Sequence, residues 1–189
     1  MLRIAGVAFV IMGLSLAQAR AAQPPVFGAY KSICQDTRAD PQKAVAALGP
    51  GWSEAPAPPG PPGVQQIHRT KVVGAAHWEL LLIEHVFPKG DDGSPFAKRM
   101  RICMVSTSAQ ATGLKTAVSA LMAAPPNSQP AGGIAWTYFD DAAGRQYFNS
   151  GTAAETNARL AKAPLVVVMV GETPQGDVAG FTEVRALDK

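Results

Sequence analysis

The chain has 189 residues, 47% of them apolar and 16% charged, with 17 Lys and Arg against 14 Asp and Glu. This balance excludes a disordered polyelectrolyte, which needs low hydrophobicity and a large net charge. Two cysteines are too few for a disulfide-dense miniprotein or a Cys-rich zinc module, and the length suits one domain with one sizeable core.

Residues 1–22 have the layout of a cleavable signal peptide. Arg3 supplies the positive start, Ile4 to Leu16 the apolar stretch, and Ala17-Gln18-Ala19 and Ala19-Arg20-Ala21 the small-x-small sites, so cleavage is expected near residues 19–22. The apolar run of about 13 residues is shorter than the roughly 20 that a spanning helix needs. No cysteine at the cleavage region offers a lipid attachment point. The expectation is a single α+β domain over 23–189, periplasmic or secreted, with no transmembrane anchor. Cleavage removes Arg3, or Arg3 and Arg20, so the formal +3 shrinks to +2 or +1. The remaining basic residues form no run that could neutralise several phosphates, and nucleic acid is not expected as a partner.

Export places Cys34 and Cys103 in an oxidising compartment, where an even pair is normally bridged. A redox pair is disfavoured because redox dithiols usually sit close together as Cys-x-x-Cys. The expected bridge closes a 69-residue separation.

In chain order, Val26 to Cys34 reads as a short helix with Phe27, Tyr30 and Cys34 on one face. Asp40-Pro41 supplies an N-cap and a first-turn proline for a second short helix through Leu48. Trp52 follows the Gly49-Pro50-Gly51 stop and should anchor that turn against the core. Residues 55–63, APAPPGPPG, form a Pro-rich loop. Val64–Val73 and Ala76–Phe87 read as a hairpin about Gly74-Ala75, with His68 opposite Leu81, and Lys98–Thr107 as a third strand. Ser108 is expected to cap a helix to about Ala124, whose Leu114, Val118, Leu121 and Met122 share a face. Gly133–Asp141 is the next strand, Thr152 and Glu155 open a helix to about Lys162 through a capping box, and Leu165–Val170 and Val178–Leu187 close the sheet. The fold class is α+β, a mostly antiparallel sheet with helices packed on one face.

Chemistry-bearing motifs are few. His68, His77 and His85 share a sheet face, but the predicted register sets His68 about 13 Å along the strands from either of the others. Metal–nitrogen bonds are near 2 Å, so they cannot ligate one ion; no metal and no cofactor is expected. His77 or His85 paired with a carboxylate remains the candidate catalytic arrangement, although Glu84 and His85 point to opposite faces and His77 and Glu79 lie about 7 Å apart. No G-x-S-x-G elbow, dinucleotide fingerprint, phosphate loop or calcium loop is present. Trp136 and Tyr138 share a strand face and are the candidate binding residues if that face is open.

Phe27, Ile33-Cys34, Thr37, Asp40 and Gly51-Trp52, following a signal peptide, resemble the start of uncharacterised exported proteins of proteobacteria. That resemblance implies the periplasm and architectural roles for Cys34 and Trp52, and it implies no activity. The leading functional expectation is a non-enzymatic binding or accessory module for a protein or small-molecule ligand. The alternatives are an exported hydrolase using His77 or His85 with a distant carboxylate, and a secreted inhibitor presenting the 55–63 or 88–96 loop.

Overall fold

A computed structural model describes residues 24–110, 113–130, 132–174 and 176–187, so the expected signal peptide lies outside the described residues. From Gln65 onward the β-branched and aromatic runs pair as expected. Strands β1 (Ser53–Glu54), β2 (Gln65–Val73), β3 (Ala76–Phe87), β4 (Lys98–Thr107), β5 (Gly133–Asp141), β6 (Gly144–Tyr147), β7 (Leu165–Thr173) and β8 (Gly176–Ala186) form one sheet in the order β1-β2-β3-β4-β8-β7-β5-β6. Every pairing is antiparallel, and His68 faces Leu81 across β2 and β3.

Helix α1 (Pro25–Ala29) runs directly into a π-helical turn, Tyr30–Gln35, rather than continuing as an α-helix. The wider turn keeps Tyr30, Ile33 and Cys34 buried against the sheet. Cys34 is bridged to Cys103 of β4, with Cα atoms 5.3 Å apart, which ties this segment to the fourth strand. Arg38 and Ala39 then adopt left-handed backbone (φ 55° and 54°) and turn the chain back over the sheet. Helix α2 (Pro41–Ala46) starts as its sequence predicts, with the Asp40 carboxylate accepting the Lys43 N–H at 3.1 Å. The carboxyl is held below its usual value, first by that backbone bond and also by nearby Arg101.

Helix α3 (Leu114–Met122) begins later than predicted. Ser108 does not cap it, because its Oγ accepts the backbone N–H of His77 at 3.0 Å and so ties β4 to the start of β3. The cap arrives from another element: the Glu172 carboxylate of β7 accepts the Lys115 N–H at 2.9 Å. No local pattern could have shown that partner. Helix α4 (Ala153–Leu160) carries the expected capping box between Thr152 and Glu155.

Strand alternation sends Leu80, Leu82, Cys103, Val105, Val168 and Phe181 to one face of the sheet, where all are buried with α1, the π-turn, α2 and α3. Trp52 packs at the margin of this core as expected. Lys71 Nζ lies 4.8 Å from the Trp52 ring centroid and 4.9 Å from that of Trp78, so a cation sits between two indoles. Helix α4 takes a different position. Its Leu160 joins Phe139, Leu165 and Val184 in a small cluster at one corner of the opposite face.

Strand β6 has no counterpart in the sequence reading. It forms because Asp141 Oδ1 accepts the Ala143 N–H at 2.8 Å and Gly144 supplies φ 103°, which together close a tight hairpin with β5. Arg145 and Tyr147 of β6 then donate to the carbonyls of Leu121 and Met122 at the end of α3.

Candidate functional site

The register fixes which residues share the less covered face. One row of side chains runs His68, Leu81, Met104, Gly180, Met169, Ala135 across β2, β3, β4, β8, β7 and β5; the next runs Gln66, Ile83, Ile102, Thr182, Val167, Thr137. Neither row contains Asp, Glu, Lys or Arg. Leu81, Ile83, Ile102, Met104, Val167 and Met169 all remain partly exposed, and none belongs to either buried cluster. Helix α4 reaches only the Phe139–Leu165–Val184 corner.

The middle of this face is built on a glycine. A Cβ at Gly180 would stand 3.0 Å from Met169 Cγ and 3.4 Å from Met104 Cγ. The two thioether chains therefore lie across the glycine from either side. Met is unbranched and polarizable, so this surface can adapt to whatever meets it.

A cleft of about 310 Å³ sits at one end of the face, where β3 and β8 begin and β4 and β7 end. His77, Glu79, Ser106, Ser108, Thr173 and Val178 contribute to its walls. The His77–Ser108 backbone is held in both directions, with Ser108 N–H donating to His77 O at 2.8 Å. Gly176 closes the floor: its φ is 134°, and a Cβ there would stand 1.9 Å from the Thr107 carbonyl oxygen. Among the described residues, no carboxylate or hydroxyl hydrogen-bonds to the His77 ring.

His85 lies on the same strand face, about 26 Å along the strand from His77 at roughly 3.3 Å per residue. Its ring is edge-on to Phe87 at 4.4 Å, and its Nδ1 is buried without a hydrogen-bond partner among the described residues. His68 Nδ1 donates to the Pro56 carbonyl at 2.7 Å, which ties β2 to the Pro-rich loop. Among the described residues, no three His, Cys, Asp or Glu side chains converge to hold a metal ion.

Trp136 and Tyr138 lie on the covered face, and both are buried. Trp136 Nε1 donates to Ala124 O at 2.8 Å, so the indole closes the end of α3 against β5. Tyr138 packs 5.7 Å from the Tyr147 ring, and burial pushes its phenol up to about 12. Their face is not open to a ligand, and the aromatic pair is part of the core.

A second cleft of about 530 Å³ lies beside α4 and includes Phe148, Glu155 and Arg159. Its charged groups are already engaged. Glu155 accepts from the Thr152 backbone N–H at 2.8 Å, and Arg159 stacks over Phe139 and Phe148 at 4.4 and 5.1 Å.

Two features escaped the sequence reading. On the covered face, Arg38 pairs with buried Glu183 and with Asp140, and Arg185 also reaches Glu183. Arg101 bridges Asp40 at 2.9 Å and Glu84 at 2.5 Å. Burial works against the Arg38 charge, but the contacts with Asp140 and Glu183 outweigh it and raise its pKa. These partners are scattered through the chain and carry no common signal. The uncovered face did have a signal: Leu80–Ile83 and Leu165–Val170 are apolar without alternation, so both faces of those strands had to be apolar.

No protein-family model, curated protein or solved structure matches the chain.

Proposed function

We propose that the chain is a non-enzymatic binding or accessory module, exported to the periplasm or secreted, that meets a protein partner through the uncovered sheet face. One observation carries this reading: two adjacent rows of side chains cross six strands without a charged residue and, among the described residues, without a covering layer. Depletion of charge with enrichment in apolar and Met side chains is the composition of interface cores. Flatness also fits a macromolecule better than a small ligand, whose sites are concave; the middle of the face lines none of the described clefts. The Cys34–Cys103 bridge supports an oxidising compartment, and the resemblance of the Cys34-to-Trp52 region to exported proteobacterial proteins points the same way.

The test uses the disulfide-intact chain and an apolar fluorescent probe, bis-ANS. Wild type should bind the probe at a surface that Leu81→Lys abolishes, with an unchanged circular-dichroism spectrum. Equal probe binding by both proteins would remove the face from the function. Export is checked separately by the intact mass of the chain recovered from the periplasm, which should lack residues up to 19–22.

A second reading, a hydrolase using His77, has the 310 Å³ cleft in its favour, since it gathers an imidazole, a carboxylate and hydroxyls. It requires ester or peptide turnover that His77→Ala eliminates and Glu155→Gln leaves alone.

A further inference from the structure

We propose that the 530 Å³ cleft beside α4 is a separate binding site, for a small organic carboxylate that Arg159 receives through its N–H groups. The proposal goes beyond the sheet-face reading and does not depend on it.

Unmet donors are the first argument. The contacts of Arg159 with Phe139 and Phe148, at 4.4 and 5.1 Å, are ring contacts, and neither takes up an N–H. Among the described residues Arg159 has no hydrogen-bond or ion-pair partner. Every other described arginine has a carboxylate or carbonyl oxygen within 3.9 Å. No Arg159 nitrogen is among the buried polar atoms that lack a partner, so its free donors are open to a ligand. The side chains of Asn149 and Ser150, on the same cleft wall, also have no hydrogen-bond partner among the described residues.

Preorganisation is the second argument. Phe139 is buried with Leu160 and Ala163, and Phe148 packs against that cluster with its ring edge-on to Phe139 at 5.3 Å. This floor holds the guanidinium in place, so meeting an oxyanion costs it little further freedom. Paired guanidinium N–H groups match the spacing of two carboxylate oxygens. The cleft volume falls within the range of about 300–1,000 Å³ that small-molecule sites occupy.

Charge then separates a carboxylate from a phosphate. Glu155 shares the cleft, and its contacts with Thr152 hold its carboxyl below the usual value, so it is ionised at neutral pH. On the other side of Arg159, a hollow of about 90 Å³ includes Asp141 and Lys162, one charge of each sign. The surroundings are therefore not a cationic field. A dianion meets more repulsion from Glu155 than a monoanion does.

The test uses the disulfide-intact chain and three probes with the same ring: 4-fluorobenzoate, 4-fluorophenyl phosphate and 4-fluorobenzyl alcohol, each followed by fluorine NMR line broadening. The benzoate should bind, the phosphate should bind about 3-fold more weakly, and the alcohol should not bind. Arg159→Gln should abolish benzoate binding. Arg159→Lys keeps the charge without the fork and should weaken it by about 10-fold. Glu155→Gln retains the helix cap and should tighten it by about 3-fold. A measurement on unmodified protein guards against a misfolded variant. Phenylglyoxal modification of Arg159, located by peptide mass, should slow in the benzoate, while that of Arg69, already paired with Glu54, should not change. Leu81→Lys should leave benzoate binding unchanged, which separates this site from the sheet face. Equal binding of the benzoate and the alcohol overturns the proposal, as does binding that survives Arg159→Gln or a wild type that binds no benzoate. Tighter binding of the phosphate overturns the assignment to a carboxylate.

Discussion

Leu80 and Leu81 are neighbours in β3, and Leu82 and Ile83 follow, yet only Leu80 and Leu82 are buried. The two faces of the sheet use the same kinds of residue; what separates them is the layer above. The covered face is closed by a helical segment that a disulfide holds in place, by α2 and by α3. The opposite face has α4 at one corner and an uncharged centre. Apolar composition by itself thus says that a surface avoids water, while the cover says whether the fold or a partner provides the shelter.

The largest expected effect breaks the cover itself. Replacing both cysteines, Cys34→Ala with Cys103→Ala, frees a 69-residue separation and should destabilise the chain on the order of 4 kcal/mol by loop-closure entropy. Chemical denaturation of both forms measures it. An equal stability would mean that the helical layer is held by packing alone.

The faces can then be compared one side chain at a time. Leu82→Ala opens a void under the cover and should cost about 3 kcal/mol. Leu81→Ala removes a side chain with no layer above it among the described residues and should cost less than about 1 kcal/mol. Similar losses at both positions would show that the second face is sheltered after all. The same comparison applies to glycines. Gly176→Ala drives a Cβ into the Thr107 carbonyl and must distort the backbone, whereas Gly180→Ala meets only the side chains of Met169 and Met104, at 3.0 and 3.4 Å from their Cγ atoms.

How much of this was legible follows from the range of each signal. The β2–β3 register, the Asp40 cap, the Thr152–Glu155 box and the fourth-strand limits are local patterns, and the chain carries them in consecutive residues. Strand β6 is only four residues long, too short for an alternation to declare itself. The Glu172 cap of α3 and the Arg38–Glu183 pair depend on elements 57 and 145 residues apart. The placing of Trp136 and Tyr138 turned on which face the helices cover, and strand alternation is silent on that choice.

At the rim of the cover, Asp40 links the start of α2 to Arg101 of β4. Asp40→Ala should lower stability by about 1 kcal/mol at neutral pH. Its carboxyl lies below the ordinary value of 3.8 in the folded chain, so the ionised form is favoured by folding. The contribution is complete above that value and is lost as pH falls through the lower folded one. Melting curves of wild type and Asp40→Ala should therefore converge in acid, and a constant separation would assign the effect to something other than the charge.

The smallest effect has the opposite sign. Tyr30 is fully buried in the π-turn under the cover, and its hydroxyl has no hydrogen-bond partner among the described residues. Burial raises the phenol pKa well beyond its ordinary range, which reports the same apolar surroundings. A buried hydroxyl that exchanges water for nothing works against folding, so Tyr30→Phe should be neutral or stabilise the chain by up to about 1 kcal/mol. Removing a hydroxyl from a half-exposed ring gives no such gain, and Tyr147→Phe, whose hydroxyl donates to Met122 O at 2.9 Å, should lose about 1 kcal/mol instead. If Tyr30→Phe also proves destabilising by that amount, the interior beneath the helical layer is wetter than its side chains indicate. The contrast between a dry face and a bare one would then be smaller than the burial of Leu80 beside Leu81 implies.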